Sequence, residues 1–222
     1  MITLSHVSKS FIVNEETLTL YRDLNRIIND GEFVCIMGPS GSGKSTLFNI
    51  CAGLDTPTSG TVTIDGITIS DLSPDQRAER RAQSVGFIFQ QFRLVPHLTV
   101  EENIDLAVDL IGAPRRFATK DLLTMVGLGP KINSYPSDLS GGEQQRVGIA
   151  RAVVANKKYL FADEPTASLD LKNAHRIMDL ITDLHKKLGL TVLMITHDHA
   201  MARYAQTVYE IVDETIKQKH DN

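Results

Sequence analysis

Cysteine is scarce: Cys35 and Cys51 are the only two in 222 residues, and both lie inside apolar runs. That excludes a disulfide framework and points to buried thiols in a reducing compartment. Positive charge is not in excess either. Lys and Arg number 23 against 27 Asp and Glu, a formal net charge of −4, which argues against a non-specific nucleic-acid binder. No apolar run approaches the ~20 residues needed to span a bilayer, so a membrane role has to come through a partner. Met1-Ile2-Thr3-Leu4-Ser5-His6 lacks a basic region followed by a long apolar core, so no signal peptide is expected. Internal repeats and low-complexity linkers are missing too. What remains is 42% apolar and 23% charged residues, the composition of an ordinary soluble protein. The length suits one domain with a substantial core and room for a smaller inserted lobe.

The clearest local signal is Gly38-Pro39-Ser40-Gly41-Ser42-Gly43-Lys44-Ser45-Thr46. It follows the apolar run Phe33–Met37, which reads as a strand, and precedes Leu47–Ala52, which reads as a helix. Strand, G-x-x-x-x-G-K-[ST] loop and helix together form a phosphate-binding loop in the context it requires. Its glycines let backbone N–H groups curl around an anion, and the helix N-terminus adds partial positive charge. Lys44 is placed to reach the β- and γ-phosphates of a nucleotide, and Ser45 to offer its hydroxyl to Mg²⁺.

The flanking pattern predicts the fold. Ile2 to Leu20 reads as short strands around a polar turn at Asn14-Glu15-Glu16. Thr58-Ser59-Gly60 reads as a turn, Thr61–Gly66 as an alternating strand, and Ile67–Ile69 as its partner. Ser73-Pro74 opens a solvent-facing helix rich in Arg and Glu. Buried strands are expected at Val85–Phe89, Tyr159–Ala162 and Thr191–Ile195, with a last strand at Thr207–Val212 and a polar tail over Lys217–Asn222. From Thr99 to about Tyr135 the periodicity is helical, broken by Pro114 and Gly127. Ser140-Gly141-Gly142-Glu143 has the S-x-x-E spacing of a capping box. Buried strands alternating with helices imply an α/β fold, a mostly parallel sheet covered on both faces.

In open α/β sheets, ligands sit at the carboxyl ends of strands. Four candidate strands end in chemistry: Met37 leads to the phosphate loop, Phe89 to Gln90, Ala162 to Asp163-Glu164, and Ile195 to His197. Asp163 can hold Mg²⁺ through water while Ser45 holds it directly. Glu164 stands where a carboxylate could polarise an attacking water, and His197 could donate to a γ-phosphate or its developing charge. Gln90 could ligate Mg²⁺ or position the water. Each has a plainer reading: Gln90 as a polar strand end, His197 as a surface histidine, Asp163-Glu164 as a helix cap. The phosphate loop in the same chain favours the functional one. Phe11, taken alone, reads as hairpin packing.

At Leu139-Ser140-Gly141-Gly142-Glu143-Gln144-Gln145-Arg146 the chain resembles the ATP-binding cassette (ABC) family, whose signature this stretch matches. The resemblance covers nearly the whole chain, in the family's order. Gly38–Thr46 matches the Walker A loop, Gln90 the Q-loop, and Tyr159–Asp163 Walker B with Glu164 as catalytic carboxylate. Ser168-Leu169-Asp170 matches the D-loop and His197 the switch histidine. Phe11 falls where the family places the aromatic that stacks on adenine. The resemblance implies a P-loop NTPase with a RecA-like core and an N-terminal antiparallel β subdomain spanning 1–91 and 138–222, and an inserted helical subdomain at 92–137. It implies ATP and Mg²⁺ as cofactors and a head-to-tail pair of cassettes, this chain with a copy of itself or a relative. Each ATP would then lie between Walker A of one and Ser140, Gly141 and Gly142 of the other. It also implies membrane-spanning partner subunits, no nucleic acid, and a cytoplasmic position on the inner face of the membrane.

Gly38–Thr46 and Gly86–Leu94 look most like the branch that includes lipoprotein-releasing, macrolide-export, antimicrobial-peptide-resistance and cell-division cassettes. A transporter ATPase is the leading expectation, with a regulatory ATPase of a cell-division or other membrane complex as the alternative. Three departures from the family pattern stand out. Asn156-Lys157-Lys158 has Lys where Pro commonly precedes Walker B, and Gln206-Thr207 replaces an acidic-basic pair. Asp213-Glu214 replaces a common Asp-Gly turn, which predicts a distorted or absent final hairpin.

Overall fold

The computed structural model describes residues Met1–Lys219. Along the chain run β1 (Ile2–Val13), β2 (Glu16–Ile28), β3 (Phe33–Met37), α1 (Lys44–Cys51), β4 (Ser59–Ile64), β5 (Ile67–Thr68), α2 (Pro74–Ser84) and β6 (Val85–Ile88). Then follow α3 (Val100–Asp109), α4 (Thr119–Met125), α5 (Gly141–Val153), β7 (Tyr159–Asp163), α6 (Leu171–Leu188), β8 (Thr191–Ile195), α7 (His199–Ala202), β9 (Thr207–Val212) and β10 (Thr215–Lys219). The chain divides into two compact units, one of Met1–Arg81 with the chain from Thr191 onward, the other of Ala82–Leu190.

In the first unit, β2, β1, β4 and β5 form an antiparallel sheet in that order. Residues 2–20 are not the short strands the sequence suggests. β1 and β2 make one long hairpin from Ile2↔Ile28 to Val13↔Glu16. Its length survives because irregularities absorb the accumulated twist: the register slips between Leu4 and Val7, where His6 takes φ 52. Such a bulge adds one residue and keeps the apolar side chains inward. Ile2, Leu4 and Val7 accordingly stay buried. The turn is Asn14-Glu15, both at positive φ (49 and 68), the twist-matched geometry of two-residue hairpins. Ser59 and Gly60, expected in a turn, begin β4 instead.

The unit's other strands run β10-β9-β3-β8. β3 lies parallel to both β8 and β9, and all five of its residues are buried, the continuous apolar run of a strand covered on both faces. The final hairpin is formed, contrary to the distortion that Asp213-Glu214 predicted. Both residues take φ of 50 and 59, and β10 pairs with β9 from Thr215↔Val212 to Lys219↔Val208. Asp tolerates the left-handed region through its short polar side chain, so no glycine is needed. Lys217–Lys219 therefore belong to a strand rather than a polar tail; His220–Asn222 lie outside the described residues.

The second unit has β6 and β7 in parallel, Val85↔Tyr159 to Ile88↔Ala162. The expected helical stretch resolves into α3 and α4, with 3₁₀ turns at Gly129–Lys131 and Pro136–Asp138. Thr99 caps α3 through a capping box with Glu102. Asn103 is fully buried and satisfied: it accepts from Val95 N and donates to the carbonyls of Val95, Leu98 and Thr99. That fixes the segment entering α3. Cys35 and Cys51 are buried thiols not joined in a disulfide, as expected.

Candidate functional site

On the first unit the site begins where β3 ends. Backbone φ of 80 and 93 at Gly41 and Gly43 places these residues where only glycine sits without strain. Gly43 is also crowded from below, since a Cβ there would lie 3.1 Å from the Tyr21 ring and 3.2 Å from Leu20. Gly43 precedes α1 with no side-chain cap, and no acid occupies the first turn. The N–H groups that open the helix therefore face outward, available to an anion. Lys44 bends back, its Nζ donating to the carbonyls of Gly38 and Pro39, each at 2.8 Å. Ser40 and Ser45 are exposed and Ser42 and Thr46 half-buried. The Ser42 hydroxyl is buried with no hydrogen-bond partner.

His197 belongs to the same edge. β3 and β8 are neighbours with Ile36 opposite Ile195, so the loop from Gly38 and the turn at His197 leave the sheet side by side. Asp198, next in line, caps α7 by accepting from Ala200 N and Met201 N. Phe11 lies toward the tip of the β1–β2 hairpin, 40% exposed, with the Lys9 ammonium 4.9 Å from its ring centre.

On the second unit, the same logic brings Gln90, Asp163 and Glu164 together. Ile88 opposes Ala162, so Gln90 and Glu164 each lie two residues past that pair. Asp163 is half-buried, and its carboxyl is pushed up, first by burial and then by the charge of Glu164, with Arg93 pulling it down. Glu164 takes φ 46, a conformation that costs a non-glycine residue about 1–3 kcal/mol and recurs at working sites. Gln145 holds this turn. Fully buried, its amide donates to Pro165 O at 2.6 Å and Phe89 O at 3.3 Å, bridging the ends of both strands. Nothing in the motif's spacing distinguishes Gln145 from Gln144, so its role was not readable from the sequence. Arg93, over the face of Phe89 at 4.6 Å, was missed for the same reason.

The helix starts complete this half. Ser140 caps α5 in a full capping box: its hydroxyl accepts from Glu143 N, while the Glu143 carboxylate accepts from Ser140 N and Oγ, each at 2.8 Å. Those bonds hold the Glu143 carboxyl below its usual range. Gly141 lies over Leu169 and Phe92, and Gly142 over Asn173. Asp170 caps α6, accepting from the backbone and amide of Asn173, which lowers its carboxyl. Ser168 Oγ donates to Gln90 O at 3.4 Å. The unit thus gathers these segments by the hydrogen bonds of Gln145 and Ser168 and by the packing of Gly141 and Gly142 on Phe92, Leu169 and Asn173.

A family model described as ABC transporter matches residues 21–167. The chain belongs to the ABC transporter family. It is 46% identical over 219 residues to the ABC transporter ATP-binding protein MJ1508 of Methanocaldococcus jannaschii, covering 97% of each chain. To the macrolide export ATP-binding/permease protein MacB of Syntrophobacter fumaroxidans it is 39% identical over 98% of this chain, which spans 31% of that protein. Among solved structures it resembles a dimeric structure of the cassette MJ0796, with a TM-score of 0.86, 39% identity and full coverage of both chains. A post-hydrolysis state of that cassette bound to ADP and Pi matches with a TM-score of 0.85. This ABC cassette is an ATPase with the P-loop NTPase fold, and ATP is its nucleotide. Among the described residues, no helix is long and apolar enough to cross a membrane.

Proposed function

We propose that two copies of this chain, or this chain and a related cassette, close head to tail on ATP and reopen on hydrolysis, moving separate membrane-spanning subunits. The observation that carries the reading is the pair of prepared helix starts, one on each unit. Gly41 to Lys44 opens onto uncapped N–H groups and a lysine, whereas Ser140 to Gly142 heads a capped helix with glycines at its entrance. Each is half of an anion site. The likeness to a dimeric cassette over the full length supports their meeting across two chains.

In this scheme Lys44 releases the carbonyls of Gly38 and Pro39 and takes the β- and γ-phosphates. Phe11 stacks on adenine, while Ser40, Ser42 and Thr46 complete the cradle, and Ser140, Gly141 and Gly142 of the opposite chain receive the γ-phosphate, with Asp170 beside them. Glu164 accepts a proton from the attacking water, and the strained backbone that Gln145 holds fixes its aim. His197 donates to the transferred phosphoryl group. Mg²⁺ would take the exposed hydroxyl of Ser45 on the first unit; on the second, Gln90 offers an amide oxygen and Asp163 a carboxylate whose neighbour Glu164 adds negative charge. When bound, Mg²⁺ neutralises phosphate charge.

Motion would pass to the membrane subunit through the second unit. A cavity of about 350 Å³ between β6, α3 and α5 has an apolar wall of Phe87, Phe89, Ala107 and Ile111, with Arg93 and Arg151 at its edge. It adjoins Gln90 through Phe89, so a partner segment seated there would sense the Gln90 turn. The membrane partner places the chain on the cytoplasmic face of the membrane. Similarity to MacB favours export or extrusion, of the lipoprotein-release, drug or peptide type.

Glu164→Gln tests the scheme. It keeps the shape, removes the base, and should lower turnover by roughly 10²–10⁴-fold while Mg-ATP drives the protein into a dimer on size exclusion. A variant that stays monomeric in saturating Mg-ATP would refute the sandwich.

A further inference from the structure

The first unit carries a second recess that the nucleotide chemistry does not use. It measures about 440 Å³ and lies between α7 and the β9–β10 hairpin, floored by Met37 and Val208. Pockets of this size accept small organic ligands. Its polar equipment is lopsided. His199 and Arg203 stand four residues apart, and Arg203 continues the helical turn at φ −64, so both side chains project from one face. Lys219 reaches in from β10, its Nζ 3.5 Å from His199 Nδ1. Gln218 adds an amide.

Among the described residues, no acidic side chain lines the recess, although the protein as a whole is acidic at −4. Two of the nearby carboxylates are engaged elsewhere. Asp198 caps α7, so the site does not rest on free N–H groups of that short helix. Glu32 is held by the Thr207 hydroxyl at 2.7 Å and by Asn29. Glu210 faces Lys217 across the hairpin. The Lys219 ammonium donates to His199 Nδ1, which leaves the other ring nitrogen as an N–H donor, and Arg203 and Lys219 bring two positive charges to one cavity that an anion between them would balance.

We propose that this recess binds a phosphate-bearing anion, gripped by Arg203, Lys219 and His199. Arg203 supplies a planar fork that matches two phosphate oxygens, Lys219 a point charge, and His199 a ring N–H donor. The floor of Met37 and Val208 takes the organic part of a phosphomonoester or the glycerol end of an anionic phospholipid. Because His199 follows His197 by two residues, an anion here would hold the segment that leaves β8.

The test uses ADP-saturated protein, so that the P-loop is filled and does not compete. Inorganic phosphate and glycerol 3-phosphate are titrated into labelled protein while amide shifts are followed. Perturbations should cluster on His199–Val208 and Gln218–Lys219. The double variant Arg203→Ala/Lys219→Ala should weaken binding by about tenfold or more, as loss of charge-assisted contacts requires, with ADP affinity unchanged. Co-sedimentation with phosphatidylglycerol vesicles, against phosphatidylcholine alone, separates the sources. Pelleting that the double variant abolishes identifies a lipid headgroup; phosphate binding without such pelleting identifies a soluble phosphoester. Shifts absent from this region, or an affinity the double variant leaves unchanged, overturn the proposal without touching the reading of the nucleotide site.

Discussion

Tyr21 shows what single residues contribute beneath the nucleotide loop. Its ring is fully buried against Gly43, yet its hydroxyl has no hydrogen-bond partner, and burial drives the phenol far above its usual pKa. A buried hydroxyl without a partner costs about 1–3 kcal/mol. Tyr21→Phe keeps the ring under the loop and removes that penalty, so it should raise stability by about 1 kcal/mol, read as a higher urea midpoint at unchanged slope. A lower midpoint would mean the hydroxyl has a partner after all. The sequence shows Tyr21 as one more β-prone residue, and only the packing distinguishes it. The place of Lys44 at the head of α1 was legible from its motif; its bonds to Gly38 and Pro39 were not, since they depend on how the loop folds back.

Between elements, the capping boxes were the readable part. The spacing S-x-x-E at Ser140 predicted the start of α5 correctly, because the two reciprocal bonds need only local geometry. Ser140→Ala should cost about 1 kcal/mol, measurable by thermal melting. The box also titrates. Its bonds lower the Glu143 carboxyl below its unfolded value, so its contribution is complete above the unfolded pKa and lost as pH falls through the folded one. The stability gap between wild type and Glu143→Gln should therefore be largest near neutrality and close below about pH 4. Gly86 was not legible as special. A Cβ there would sit 2.1 Å from the Ala152 carbonyl oxygen, so β6 and α5 touch backbone to backbone. Gly86→Ala forces them apart, and a loss of about 1–3 kcal/mol is expected, visible as a lowered urea midpoint. The β9–β10 turn erred the other way. Asp213-Glu214 looked unsuited to a hairpin because glycine is usual, but the paired strands, with Ile211 and Ile216 buried, hold both residues at positive φ.

For the whole molecule, alternation of strand and helix announced the α/β class, and strand ends announced the candidate site, because both follow from order along the chain. Cavities did not announce themselves: the recesses lined by Phe87 and Ile111 and by Arg203 and Lys219 join residues far apart in sequence. Binding energy is the whole-molecule quantity that connects the loop to the fold. A ligand that binds only the folded state stabilises it by RT ln(1 + [L]/Kd), about 2.7 kcal/mol at a hundredfold excess over Kd. For a chain of this size, each kcal/mol moves the melting temperature by about 2–4 °C, so saturating ATP should raise it by roughly 5–10 °C. Lys44→Ala removes the ammonium that would meet the phosphates, and it also removes two bonds within the loop. The variant should therefore melt slightly below the wild type without nucleotide and gain almost nothing when ATP is added. A full shift in the variant would show that backbone N–H groups at α1 suffice for binding, and that Lys44 serves the loop's own structure alone.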